Sequence, residues 1–108
     1  LPNVCARGDV TAIKLPVMGA YAPKAGIFAH YQGEVVARNI ACLAQGLNPK
    51  YRYTGKGSCI MYTGFGRARY STVHYFTKPK PFITLLRPSI TSYLAKIAFE
   101  KYWLNCWI

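Results

Sequence analysis

One long segment with helical periodicity sets the strongest limit on what this chain can fold into. Between residues 25 and 44, apolar or small side chains recur at spacings of three and four, at Ala29, Gly33, Val36, Ile40 and Leu43. Gly46 follows the segment and is a residue type that typically ends a helix. We therefore predict a helix from Ala25 to Ala44. Pro16, Gly19 and Pro23 lie ahead of it and favour a loop over residues 11–23.

One face of the predicted helix carries only small side chains. They recur at helical spacing at Gly26, Ala29, Gly33 and Ala37. Such a face lets another backbone, or a flat ligand, approach the helix closely. Ordinary tight packing on a sheet explains the same pattern, so both interpretations stay open.

The middle of the chain predicts a β-hairpin. Residues 58–62 are typical of a buried strand, and residues 67–76 are typical of a second strand with polar alternation. Gly64 and Gly66 lie between them and favour a turn. The Lys-Pro-Lys-Pro sequence at residues 78–81 breaks any strand that follows.

A second helix is predicted from Pro88 and Ser89 to near the end of the chain, with Ser89 as a candidate N-cap. Ser92, Lys96 and Glu100 form a narrow polar stripe in a segment that is otherwise mostly apolar. Charges in the middle of the segment argue against a membrane span. An interfacial amphipathic helix with Trp and Lys fits better. A core helix whose outer face meets another domain is the alternative.

The charge balance is strongly basic. The chain has 14 Lys and Arg against 3 Asp and Glu, which gives a formal net charge of +11. Anionic lipid, nucleic acid and an anionic cofactor are all candidate partners for such a chain. The positive residues are scattered without a dense basic run, so nucleic acid is not favoured. A solvated basic face explains the charge equally well.

Four cysteines occur, and none belongs to a C-x-x-C pair. Cys5, Cys42, Cys59 and Cys106 are too widely spaced to predict a zinc site. No signal peptide is visible that would favour a disulfide framework. The first residues are typical of the middle of a protein, so we expect the chain to be a fragment.

The Gly-Asp pair at Gly8 and Asp9 has a physical interpretation. Residues 3–6 predict a short strand that runs into it, and a carboxylate at a strand end accepts hydrogen bonds from sugar-alcohol hydroxyls. The start of the following helix carries partial positive charge and free N–H groups, which stabilise negative charge on a reduced flavin. Gly26 lets the backbone approach a ring. An ordinary turn is the alternative.

Six segments, taken in order, carry a resemblance that covers nearly the whole chain. Residues 8–12, 23–27 and 32–40 resemble the second FAD-contact segment of the pyridine-nucleotide-disulfide-reductase-like flavoproteins. Residues 53–59 and 63–68, together with the ending at residues 96–104, resemble the sulfide:quinone oxidoreductases in particular. No single motif is decisive, but the ordered set is fairly specific.

The resemblance implies a fold and a set of sites. The fold is α/β, the C-terminal portion of a two-dinucleotide-binding-domain flavoprotein with a long helix, a β-hairpin and a C-terminal amphipathic helix. Residues 1–86 would close the FAD-binding domain, and residues 87–108 would form a helix associated with membrane and quinone. The implied FAD contacts are Asp9, Val10, Lys24, Gly26 and Ile27; the redox-active cysteine is Cys59; the quinone-pocket residues are Ile60, Lys96 and Phe99.

The resemblance also implies a chemistry. Sulfide attacks a disulfide by thiol exchange, a cysteine beside FAD passes on two electrons, and a membrane quinone receives them while sulfane sulfur is released. The expected partners are sulfide, quinone, an anionic membrane surface and the missing N-terminal part, with a second copy as a further candidate and no nucleic acid. The expected location is peripheral, on the cytoplasmic or periplasmic face of a bacterial inner membrane.

Other interpretations remain open on the residues alone. For Cys59, the structural alternative is a buried cysteine in a strand. An NADH:quinone oxidoreductase of the same superfamily fits the motifs but has no use for Cys59. A stand-alone basic module is a third reading, in which tyrosines and arginines near Tyr51 and Arg67 bind RNA or lipid.

Overall fold

A computed structural model of the chain describes residues 4–107 and shows a mixed α/β fold. The chain forms a 3-10 turn, Gly8–Val10, and then a helix, α1. Three strands and a second helix, α2, follow. The strands form one antiparallel sheet in the order β1-β2-β3. The bounds are Gly26–Ala44 for α1, Lys56–Gly64 for β1, Arg67–His74 for β2, Phe82–Leu85 for β3 and Ile90–Trp107 for α2.

The chain divides into two compact units. The first contains the residues through Gly57 together with Val73–Phe82, and so includes the 3-10 turn and α1. The second contains Ser58–Thr72 and the residues from Ile83 onward, and so includes the outer part of the β1–β2 hairpin and α2. The mixed α/β class is confirmed.

The first helix has the predicted extent and the predicted end. It begins one residue later than expected, at Gly26, and ends at Ala44. The N–H of Leu47 donates to the Cys42 carbonyl at 2.9 Å, and the N–H of Gly46 donates to the Leu43 carbonyl at 3.0 Å. Gly46 has a φ of +71°, which lies in the left-handed region. The two hydrogen bonds together form a Schellman motif, which commonly ends a helix at a glycine.

The hairpin is confirmed, with a longer first strand and a shorter second strand than predicted. Phe65 and Gly66 connect β1 to β2 and have φ values of 52° and 64°. Two positive φ values at the centre of a two-residue loop define a type I′ turn, whose twist matches that of the paired strands.

The predicted strand near the start of the chain is wrong for its described part. Residues 4–7 form no strand, and Asp9 lies in the 3-10 turn rather than at a strand end. Asn3 lies outside the described residues. A contact distant in sequence determines the local structure instead. Gly8 has a φ of +74°, which turns the chain toward α1, and its N–H donates to the side chain of Gln32.

The sequence prediction also missed β3. The prolines at residues 79 and 81 do break the chain, but Phe82–Leu85 then pairs with β2. The N–H of Leu86 donates to the Tyr70 carbonyl at 2.9 Å, and Ser89 and Ala68 exchange backbone hydrogen bonds. The short strand β3 forms because it pairs with β2, and the local sequence pattern of residues 82–85 does not reveal that pairing.

In the first unit, an aromatic side chain from α1 packs on a glycine of β1. Phe28 is buried, and its ring lies 5.8 Å from the ring of Tyr75, centroid to centroid. A Cβ on Gly57 would overlap the Phe28 ring. Gly57 therefore gives α1 a close approach to β1 that no larger residue allows.

In the second unit, α2 begins with the predicted cap. The N–H of Ser92 donates to the Ser89 hydroxyl at 3.1 Å, which is the bond of an N-cap serine to the third helical residue. Apolar side chains lie around the whole helix, so its amphipathic character is weak. Within residues 4–107, neither helix combines the length and the hydropathy that a membrane crossing requires.

Candidate functional site

The turn that carries Asp9 is fixed against α1 by two hydrogen bonds. The N–H of Gly8 donates to Oε1 of Gln32 at 2.7 Å, and Nη1 of Arg7 donates to the Ala29 carbonyl at 3.0 Å. A Cβ on Gly8 would lie 3.2 Å from the Cβ of Ala29, so the backbone of the turn is close to the helix surface. Asp9 is therefore held near the first turns of α1.

Lys24, which lies just before α1, also contacts the backbone of the Asp9 turn. Its Nζ donates to the backbone carbonyls of Asp9, at 2.8 Å, and Thr11. The Thr11 hydroxyl donates to the Gly8 carbonyl at 2.7 Å. The cavity among these residues has a volume of about 10 Å³, which is room for one water molecule. Lys24 thus stabilises the turn through hydrogen bonds to its backbone.

The Asp9 side chain itself is exposed. Among residues 4–107, its carboxylate has no hydrogen-bond partner. Val10 beside it is 81% exposed. The turn therefore presents a free carboxylate, whose position is set by the backbone contacts of its neighbours.

The start of α1 is open as well. Ala25 is extended and supplies no side-chain cap, and the first turn has no acidic residue. A Cβ on Gly26 would meet no atom within 4 Å, and Ile27 is half-buried. The positive end of the helix dipole and its first N–H groups are thus available to an anionic group.

Of the implied FAD-contact residues, the structure joins Asp9 and Lys24 directly, through the hydrogen bond from the Lys24 ammonium to the Asp9 carbonyl. Val10, Gly26 and Ile27 lie beside them in sequence. We call the five the cradle residues: Asp9, Val10, Lys24, Gly26 and Ile27. They come from two segments that are separated in the sequence by residues 11–23 and that are joined by the contacts of Lys24.

Two of the implied quinone-pocket residues also meet, in the second unit. Nζ of Lys96 donates to the Ile60 carbonyl at 2.7 Å. The same ammonium lies 4.4 Å from the ring centroid of Tyr62, whose ring packs on Tyr93 at 5.4 Å. Lys96 therefore lies against an aromatic pair and is half-buried.

Phe99 lies one turn further along α2 and is 55% exposed. It shares a face with Lys96, because residues three apart are neighbours on a helix. Its ring lies 5.8 Å from that of Trp103. Ile60, Lys96 and the exposed Phe99 thus belong to one part of the second unit.

Cys59 lies on β1 in the second unit, apart in sequence from the cradle residues of the first. It is exposed, so the alternative of a buried strand cysteine is wrong. The Ser71 hydroxyl donates to its carbonyl at 3.4 Å, which fixes the backbone there. Among the other free cysteines of the described residues, Cys42 is buried in α1, whereas Cys5 and Cys106 are exposed.

Gln32 is the residue that sequence reasoning missed. It is the one polar side chain buried within the described residues, at 7% exposure, and it accepts the Gly8 N–H. Burial raises the pKa of Tyr53 above its ordinary value, and the nearby Gln32 side chain lowers it by a smaller amount. The available signal was a glutamine four residues after Phe28, on the buried face of the helix.

Known proteins provide no assignment for this arrangement. No family model, curated protein or solved structure matches the chain. No group of His, Cys, Asp or Glu within residues 4–107 is arranged to hold a metal ion.

Proposed function

We propose that this chain is the C-terminal part of an FAD-dependent oxidoreductase of the sulfide:quinone oxidoreductase type. Residues 1–86 complete an FAD-binding domain in this proposal, and residues 87–108 form the helix that meets membrane and quinone. The observation that carries the proposal is the Asp9 turn. It lies against the uncapped start of α1 with its carboxylate unpaired.

The cradle residues fit a flavin chemically. The Asp9 carboxylate is an acceptor for ribityl hydroxyls, and Lys24 holds the turn that presents it. The first N–H groups of α1 favour negative charge, and the open space at Gly26 lets a ring approach the backbone. FAD, when bound, supplies the two-electron chemistry between the thiol and the quinone.

Cys59 contributes an exposed thiol on a strand. In the proposed reaction, hydrosulfide attacks a disulfide that Cys59 shares with a cysteine of the missing part. The S–S bond breaks, a new S–S bond forms to the incoming sulfur, and one cysteine leaves as a thiolate. The exposure of Cys59 supports this role, because thiol exchange requires access.

The quinone end of the proposal is supported by the contact of Lys96 with Ile60. The ammonium lies between the Ile60 carbonyl and the Tyr62 ring. These two contacts stabilise its positive charge in a partly apolar environment. A quinone carbonyl accepts hydrogen bonds from such a donor, and the exposed Phe99 offers a ring for packing.

The packing of the chain is consistent with a further domain. Among the described residues, only four hydrophobic side chains are buried, at Leu15, Phe28, Cys42 and Ala68. Many large apolar side chains are exposed, including Leu94 and Leu104 of α2. Both the missing N-terminal part and an anionic membrane surface would cover apolar area, and the net charge of +11 favours the membrane contact.

The coding DNA upstream of Leu1 gives the most direct test. We expect it to encode a G-x-G-x-x-G dinucleotide fingerprint and a further cysteine in the same reading frame. An in-frame stop codon directly upstream, or an extension without either feature, would contradict the proposal.

Two variants of the extended enzyme and one control then separate the roles of its parts. Asp9→Ala should weaken FAD binding about tenfold, since a charge-assisted hydrogen bond is lost. Cys59→Ser should retain FAD but lose sulfide-dependent flavin reduction, and Cys106→Ser should retain both. The readouts are flavin absorbance and anaerobic reduction by sulfide. Unchanged flavin reduction by sulfide in Cys59→Ser would remove Cys59 from the mechanism. Flavin reduction by NADH and not by sulfide, in the enzyme with Cys59 intact, would favour an NADH:quinone oxidoreductase.

A further inference from the structure

The first unit contains a second concave surface, larger than the cavity at the Asp9 turn. It is a groove of about 260 Å³ between α1 and the segment that leads into β1. No residue that lines it also lines the Asp9 cavity. We call its aromatic and basic lining the tyrosine groove, which consists of Tyr31, Arg38, Tyr51, Arg52, Tyr53 and Lys56.

The wall of the tyrosine groove is fixed before any ligand arrives. Nδ2 of Asn39 donates to the Tyr51 carbonyl, and Oδ1 of Asn39 accepts the Tyr51 N–H, both at 2.9 Å. One amide side chain on α1 thus satisfies both backbone groups of Tyr51. The Tyr53 ring packs edge-on against Phe76 at 5.5 Å. Such a wall reduces the entropic cost of ordering a ligand.

The charge of the groove is positive. Arg38 is paired with Glu34 at 2.6 Å, so these two charges cancel. Arg52 and Lys56 remain, and within residues 4–107 neither forms an ion pair with a carboxylate. Arg52 is also exposed and has no hydrogen-bond partner among the described residues. The groove therefore holds two uncompensated cations.

Two of the aromatic rings lie beside basic side chains of the groove, one of them the unpaired Lys56 and the other the paired Arg38. Nζ of Lys56 is 5.2 Å from the Tyr31 ring centroid, and Cζ of Arg38 is 5.4 Å from the Tyr51 ring centroid. A ligand with a flat ring and an anionic group would meet both kinds of contact at once. Nucleotides have this composition, since every base offers a π-face and every phosphate an acceptor for Arg and Lys.

We propose that the tyrosine groove binds one nucleotide unit, with the base against a tyrosine ring and the phosphate at Arg52 and Lys56. The volume of about 260 Å³ is slightly below the usual range for ligand sites, which favours one nucleotide over a dinucleotide. The proposal is independent of the flavin assignment, because it uses none of the cradle residues. The same base-and-phosphate chemistry is available in a free nucleotide or in a single strand.

Calorimetric titration of the purified chain at low salt tests the proposal. The probes are AMP, adenosine and inorganic phosphate. We expect AMP to bind at least tenfold more tightly than either component, and its affinity to fall as salt is raised. Equal binding of AMP and inorganic phosphate would overturn the proposal. A short oligoadenylate that binds more tightly than AMP would identify the source of the nucleotide as a single strand, and equal affinity would identify it as a free nucleotide.

A matched pair of variants separates the groove from the general basic charge. Arg52→Gln and Arg67→Gln each remove one exposed cation, but only Arg52 lines the groove. Arg52→Gln should weaken AMP binding about tenfold, and Arg67→Gln by less than about twofold. Equal losses would show that binding follows net charge alone and would overturn the proposal. Tyr51→Leu, checked by circular dichroism, should also lose about tenfold through lost stacking.

Discussion

The two helices differ in how the rest of the chain holds them. Helix α1 of the first unit buries Phe28, Gln32 and Cys42, and it accepts contacts from segments on both sides of it in sequence. Helix α2 of the second unit buries no described side chain fully, and its main polar contact is the one from Lys96 to Ile60. Helix α1 is therefore held by packing and hydrogen bonds within the first unit, whereas α2 leaves much of its apolar surface exposed.

The largest effect should follow from filling the space between α1 and β1. Gly57→Ala places a Cβ where the Phe28 ring lies, so we expect a loss of about 2–3 kcal/mol in the free energy of unfolding. Gly26→Ala is the matched control, because its Cβ meets no atom within 4 Å. Urea denaturation followed by circular dichroism measures both. Equal stability of the two variants would show that Phe28 does not anchor α1.

The contact of Lys96 tests the second unit in the same way. Lys96→Met removes the hydrogen bond to the Ile60 carbonyl and the ammonium over the Tyr62 ring, so we expect a loss of about 1–2 kcal/mol. Lys101→Met, at an exposed position of the same helix, should change stability by no more than about 0.5 kcal/mol. Denaturation by urea gives the comparison. If both variants match the wild type, α2 is held by apolar contacts alone, and the two helices differ even more in how they are held.

The elements that the sequence predicts are those with local signals. The spacing of apolar residues, Gly46 and Ser89 each act within one helix turn, and the extents of α1 and the start of α2 follow from them. The Asp9 turn and β3 depend on partners distant in sequence, Gln32 and β2, and a local pattern cannot reveal them.

The candidate sites show the same division. The resemblance selects Lys24 and Lys96 as ligand contacts, and the structure shows that each ammonium already donates to backbone carbonyls within its own unit. Gln32 begins one of the segments that carry the resemblance, but the resemblance gives it no role, although its side chain accepts a hydrogen bond from the Asp9 turn. The tyrosine groove combines α1 with the segment before β1, so its rings and cations come together only in the folded first unit.

The smallest expected effect concerns the pH dependence of the first unit. Burial raises the pKa of Tyr53 above the ordinary value of 10.0, with a smaller contribution from Tyr75, and the hydrogen bond from Gln32 only partly opposes it. The folded chain therefore holds this proton more tightly than the unfolded chain. Its contribution to stability is fully present below pH 10.0 and is lost as the pH rises through the raised pKa.

Replacement of the phenol isolates this contribution from the other tyrosines. In urea denaturation at a series of pH values above 10.0, we expect the stability of wild type to fall more steeply with pH than that of Tyr53→Phe. Tyr21→Phe, at a position that is 61% exposed, should keep the wild-type slope. If Tyr53→Phe and wild type lose stability in parallel, the Tyr53 hydroxyl is not held by its surroundings. The wall of the tyrosine groove would then be looser than its contacts with Phe76 and the Lys56 carbonyl indicate.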